Sequence, residues 1–395
     1  MIGSSSNRDS FSSKFGVIAA AAGSAVGLGN IWKFPYIAGV YGGAAFLFVY
    51  LGFILAIGLP VMLSELIIGR KSQRNAFGAF KVLAPGTPWR YVGILGVSAA
   101  FLILSFYGVV AGWSVQYIVI SVQDGFSNKS PEEINSLFST LIESPVKPVI
   151  LQLFFMVLTA AIVIVGIKKG IEKYTKILMP VLVVILIILC IKSVSLEGAK
   201  AGLEFLFKPD FSKLTGDGIL SALGHAFFTL SLGMGTLITY GSYINKQNNL
   251  VQTVINVTVA DTVIAILAGI AIFPAVFAFG IEPTEGPGLI FVTLPNVFHQ
   301  MPGGFYFSLL FFILLTVAAL TSSISILEVV VAYFKEEFKM GRKASTILAT
   351  VLISMLGILC SLSMGILSSY TIFGLNFFDL MDWISANLLL PIGGL

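Results

Sequence analysis

Asp261 lies between two apolar stretches that carry no other charge, the nearest being Lys246 before it and Glu282 after it. An ionised carboxylate at the middle of a membrane span costs at least about 2.5–3.5 kcal/mol unless it is paired or coordinated. Its chemistry therefore asks for a cation. Glu65 is a second carboxylate inside a long apolar run, and it is read as a structural acceptor for backbone N–H groups near the sixth helix. Two runs of small residues supply complementary groups: Gly23-Ser24-Ala25-Val26-Gly27-Leu28-Gly29-Asn30 and Thr229-Leu230-Ser231-Leu232-Gly233-Met234-Gly235. Glycine costs about 1 kcal/mol in a helix interior, so both runs are places where a helix opens. An opened helix presents carbonyls that suit a hard cation and N–H groups that suit a carboxylate. The plain alternative is close helix packing through small residues.

Other reactive residue types form no such constellation. His225 and His299 lack metal-ligand spacing, and His225 is read as a hydrogen-bonding residue at the start of the sixth helix. Cys190 and Cys360 sit in apolar runs as small hydrophobes, with no disulfide expected. There is no zinc-protease, nucleophile-elbow or phosphate-loop pattern, so the chain is not read as an enzyme.

The elements that must hold these groups are membrane helices. Of 395 residues, 57% are hydrophobic and only 11% charged, and the mean hydropathy is +0.97. A soluble chain of this size carries about a quarter of its residues as charged ones. The net charge of +4 is too scattered for nucleic-acid binding. Splitting the apolar runs at turn signals places spans near residues 14–39, 43–69, 89–122, 148–168, 174–193, 217–243, 249–280, 304–338, 344–366 and from 376 onward. With the N-terminus inside, sixteen Lys and Arg fall in inner segments and six in outer ones, which predicts a cytoplasmic N-terminus. The polar stretch Met1 to Ser13 precedes the first span without a clear cleavage site. The two small-residue runs lie in the first and sixth spans. A repeat of five reverses direction across the membrane and brings the two breaks together near its middle.

Gly23 to Tyr36, reading GSAVGLGNIWKFPY, with Tyr41-Gly42-Gly43, Phe227 to Gly233 and Leu320-Thr321-Ser322-Ser323, resembles the neurotransmitter:sodium symporter family in its bacterial amino-acid transporter branch. The resemblance runs through nearly the whole chain. It implies an all-α integral membrane protein with an inverted 5+5 repeat and discontinuous helices 1 and 6, an architecture for which this family is a standing example. Residues 1–13 form a cytoplasmic segment and 14–395 a single transporter domain, ending within the tenth of the family's eleven or twelve helices. It also implies Na+ as the coupled ion, an amino acid as substrate, and a multi-pass place in the cytoplasmic membrane; oligomeric state stays open.

Carried over residue by residue, the resemblance assigns one sodium to Ala25, Asn30, Thr229 and Asp261, together with the substrate carboxylate. It assigns a second to the carbonyls of Gly23, Val26 and Ala318 and the hydroxyls of Thr321 and Ser322. Ordinary back-bonding within a helix is the plain reading of that Thr-Ser pair. The substrate would lie among Ser24, Ala25, Leu28, Gly29, Ile103, Tyr107, Phe228, Thr229, Ser231, Met234, Ser322 and Ile326. Gly27 stands where the monoamine branch has Asp, which leaves room for a substrate carboxylate. The apolar side-chain end implies neutral hydrophobic, and in particular aromatic, L-amino acids.

Lys33, in place of the family's usual Arg, would face Asp382 as the outer gate. Arg8 would face Glu336 at the inner gate, with Tyr243 and Ser242 nearby and Phe11 where the family has Trp. Arg8 with Glu336 reads equally as a solvated pair of little worth. Chloride-dependent relatives have Asn at the position of Asp261 and Ser where this chain has Ala265, so the expectation is chloride-independent transport, with Asp261 protonated on the return step. The rival readings are a sodium- and amino-acid-binding membrane sensor without transport, and a channel.

Overall fold

The computed structural model describes residues 9–126, 129–280 and 288–394. Among them the chain is helical almost throughout, and the one β-bridge, Ile372 with Leu375, pins a turn before the last helices. Among the described residues six helices are long and apolar enough to cross a membrane unbroken: Ala44–Ser72, Arg90–Val122, Ile167–Val194, Leu250–Ala278, Gly304–Glu337 and Arg342–Leu362. The first span is instead a bent pair, Lys14–Ala25 and Gly29–Val40, meeting at 44°. The sixth is broken between Gly216–Thr229 and Thr236–Gly241. The tenth runs from Phe377–Ile384 through a π-helical turn to Leu390–Gly394.

Local chemistry explains the starts. Ser13, Asn75, Thr215, Asn249 and Asn376 each cap a helix by accepting an N–H from its first turn. The break in the sixth span is built on left-handed backbone: Ser231, Gly233 and Gly235 have φ of 56°, 74° and 73°. Two of the three are glycines, which adopt that region without a Cβ penalty.

The structure departs from the expected layout in two respects. The fourth span, Lys147–Val163, is shorter than expected, because the chain turns at Gly166 (φ 105°) and the fifth begins with a π-helical turn at Ile167. Short helices also occupy the connections, at Ala76–Leu83, Pro131–Glu143, Ala199–Phe207 and Leu294–Gln300. The third and eighth spans lie at the centre, with most of their residues buried. The exposed apolar side chains, such as Ile177, Val184, Ile191, Val351 and Met355, lie on the outer spans, as expected of a surface solvated by lipid.

Candidate functional site

The two broken spans meet against the third and eighth. Ser24, in the last turn before the first break, donates to Ser231 in the sixth-span break at 2.9 Å, and Ser231 donates back to the Ser24 carbonyl at 3.0 Å. Between the breaks is a tight cavity of about 10 Å³ whose wall includes eleven of the twelve residues named for the substrate. Leu28 is the exception: it contributes its backbone N–H to the Tyr107 hydroxyl at 2.9 Å, and its place on the wall is taken by Gly27. A Cβ on Gly27 would run into the Ser322 and Tyr107 hydroxyls, so glycine keeps this end of the cavity open. Ile103, Phe228, Met234 and Ile326 supply the apolar part, and among the described residues no charged side chain lines the cavity.

Asp261 is fully buried beside this cavity. One carboxylate oxygen accepts from Asn30 Nδ2 at 2.8 Å and Thr229 Oγ1 at 2.9 Å, and the other from the Tyr50 hydroxyl at 3.3 Å. Asn30 thus turns its amide nitrogen, not its oxygen, to Asp261, while its Oδ1 accepts the Gly27 N–H at 3.0 Å. Donors are what a carboxylate needs; a cation in the same place requires the oxygen, reached by rotating the amide. Thr229 borders both this cluster and the cavity, and Ala25 lines the cavity. Tyr50, with no marker in its apolar surroundings, was not among the expected residues.

The second group of five oxygens also converges. Ser322 Oγ lies 3.3 Å from the Gly23 carbonyl and 3.2 Å from that of Val26, and Thr321 Oγ1 lies 3.4 Å from Val26 and 3.0 Å from the Ala318 carbonyl. Thr321 also back-bonds to Val317 at 3.2 Å, so helix-internal bonding and cross-helix convergence coexist. Neutral oxygens of this kind suit Na+, and among the described residues no trio of His, Cys, Asp or Glu could hold a softer metal. Glu65 accepts the Gly233 N–H at 2.7 Å, tying the second span to the opened backbone of the sixth.

Lys33 reaches both oxygens of Asp382, at 2.9 and 3.2 Å, and its ammonium stands 4.8 Å from the Phe228 ring centre. Above it opens a vestibule of about 460 Å³. His225 borders that vestibule but does not act as the expected hydrogen-bonding residue. Neither ring nitrogen has a partner, because the imidazole packs against Phe34, Phe46 and Tyr50, the last at 5.2 Å.

At the N-terminal face Arg8 lies outside the described residues. Glu336 accepts from the backbone N–H and side-chain amide of Asn75 at 3.0 and 3.1 Å. Tyr243 donates to a different carboxylate, Glu328, at 2.7 Å. Glu328 is fully buried and pairs with Arg342 at 2.6 Å, and Arg342 also donates to the Val163 carbonyl. This pair was missed because it joins two spans across a turn. Phe11 packs edge-on against Tyr240 and Tyr243.

Residues 8–136 and 140–393 match the sodium:neurotransmitter symporter family. The chain belongs to that family. An uncharacterised sodium-dependent transporter of Bacillus subtilis is 43% identical over 98% of this chain and 85% of its own length. One from Haemophilus influenzae is 39% identical over 98% and 87%. The crystal structure of MhsT in complex with L-phenylalanine is 51% identical, with a TM-score of 0.93 over 98% of this chain and 88% of that one. This family member is therefore a multi-pass, sodium-dependent secondary transporter rather than an enzyme, with discontinuous helices in the inverted-repeat arrangement.

Proposed function

We propose that the chain imports neutral, apolar L-amino acids, aromatic ones included, in symport with Na+ by alternating access. The observation that carries this reading is the lining of the cavity between the two breaks, which joins opened backbone and hydroxyls to apolar side chains. An amino acid is admitted by parting the two broken spans, because the cavity's volume of about 10 Å³ is room for about one water. Its open backbone offers N–H groups near Gly29 to a carboxylate and carbonyls near Ala25 and Phe228 to an ammonium, while Ile103, Met234 and Ile326 take an uncharged side chain. The MhsT structure with L-phenylalanine supports a ligand of that class.

In this reading one sodium binds at Ala25, Asn30, Thr229 and Asp261 and shares the substrate carboxylate, and another binds at Gly23, Val26, Ala318, Thr321 and Ser322. A shared oxygen makes each ligand raise the other's affinity by the same factor. The N-terminal face is cytoplasmic by the distribution of basic residues. Asp261 replaces chloride as the fixed negative charge, and it takes a proton when the empty carrier returns. Closures on both faces of the cavity favour a carrier over a channel.

Uptake of labelled amino acids into proteoliposomes tests the proposal. Leucine, phenylalanine and tryptophan should enter only under an inward sodium gradient, unaffected by replacing chloride with gluconate and accelerated by an outward proton gradient. Sodium-dependent binding without uptake would show a sensor instead. Loss of uptake in gluconate would remove chloride independence, and indifference to pH gradients would remove the proton step.

A further inference from the structure

Glu172 is 1% exposed, yet the sodium and substrate sites do not use it. It closes the π-helical turn Ile167–Glu172 that starts the fifth span. Four donors from two chain segments reach it. The Ser12 backbone N–H lies 2.7 Å from Oε2; Ser12 Oγ, Ser13 Oγ and Lys176 Nζ lie 2.6, 3.1 and 2.6 Å from Oε1. Ser13 in turn caps the first helix through the Gly16 N–H at 3.0 Å. The Glu172 side chain fills the space that a Cβ on Gly16 would need, so the carboxylate is pressed against the first helix's opening turn.

The other half of the first span, Gly29–Val40, is also held by a carboxylate. Lys33 is gripped by Asp382, which is the sixth residue of Phe377–Ile384, as Glu172 is the sixth of the helix beginning at Ile167. The fifth and tenth spans are counterparts in an inverted repeat and enter from opposite faces. A π-helical turn adjoins each carboxylate, at Ile167–Glu172 and Ser385–Leu389.

We propose that Glu172 is the inner counterpart of Asp382: a positioning residue that clasps the N-terminal end of the first helix and must release Ser12 and Ser13 before that half-helix can swing out. The proposal rests on the alternating-access reading above. Because Gly23 and Val26 lie on the same half-helix, release at Glu172 would also pull two carbonyls from the second oxygen cluster.

Hydrogen exchange on the full chain in sodium-containing buffer tests this without requiring transport. In Glu172→Gln, an amide nitrogen replaces one oxygen and faces the Ser12 and Ser13 donors. Amides of residues 12–22 should then exchange about tenfold faster than in the wild type, while residues 30–40 stay unchanged. Asp382→Asn should show the reverse pattern. Ser12→Ala, which disturbs the fold less, should accelerate residues 12–22 about threefold. Unchanged exchange at residues 12–22 in both the Glu172 and Ser12 variants would overturn the proposal. So would acceleration spread evenly over all helices, the mark of a merely structural residue. Absence of uptake for every amino acid would refute the transport reading but leave these exchange patterns to be judged by themselves.

Discussion

The two ends of the substrate cavity are closed by different amounts of material. Towards the vestibule there is one ion pair, Lys33 with Asp382, above the Phe228 ring, and the Asp382 side chain is 31% exposed. Towards the N-terminal face closure runs through several layers: Ser24 with Ser231, the Tyr240 hydroxyl on Ser325 at 2.7 Å, Phe11 against two tyrosines, and the buried Glu328–Arg342 pair. The two pairs differ at the carboxylate: Asp382 is 31% exposed and Glu328 fully buried, while Lys33 and Arg342 are 10% and 15% exposed, so water screens the vestibule pair and does not reach Glu328, whose removal costs roughly 3–5 kcal/mol. The difference teaches that this arrangement opens most cheaply on the vestibule side, and that opening towards the N-terminal face needs a larger input, such as loss of a ligand that joins the broken spans.

Four substitutions probe that asymmetry. Glu328→Ala strands the Arg342 guanidinium in a buried site and should cost roughly 3–5 kcal/mol, read as a large drop in the thermal unfolding midpoint of the purified protein. A midpoint near that of the wild type would make the inner closure no stronger than the outer. Phe11→Ala removes a 2%-exposed ring from the plug and should cost about 3 kcal/mol. It should also raise alkylation of a cysteine placed at Ser242, and unaltered alkylation would remove Phe11 from the closure. Asp382→Asn leaves the largely buried Lys33 ammonium at the vestibule without its counter-ion and should cost about 1–3 kcal/mol, less than Glu328→Ala, and speed the exchange of bound amino acid a few-fold. A loss as large as that of Glu328→Ala would abolish the contrast. Smallest of all, Lys33→Arg should restore a two-pronged grip on Asp382 and slow substrate dissociation about two- to threefold; faster dissociation would contradict a point-charge latch.

Much of this could be read in the sequence because the costs are large and local. Glycines inside spans, and carboxylates at membrane depth, announce themselves without knowledge of the fold, and the structure brings both breaks and Asp261 to one place. What stayed hidden depends on packing between distant segments. Tyr50 looks like any aromatic in an apolar run until its hydroxyl meets Asp261. Glu172 looks like a surface residue in a Lys-rich stretch until Ser12 folds onto it. His225 was misread because imidazole usually seeks partners, and its burial among rings is a tertiary fact. The helix at Pro131–Glu143 was legible in principle: Ser130 and Glu133 form a capping box that the hydropathy reading passed over.

Binding measured as a thermodynamic cycle tests the central claim most directly, that two opened helices hold sodium and a zwitterion side by side. Purified protein is titrated with phenylalanine at several sodium concentrations, and with sodium at several phenylalanine concentrations, following the unfolding midpoint. The account predicts that each ligand tightens the other by the same factor, of at least about tenfold, and that Asp261→Ala removes the coupling. Phenylalanine binding that is equally tight with and without sodium would contradict it.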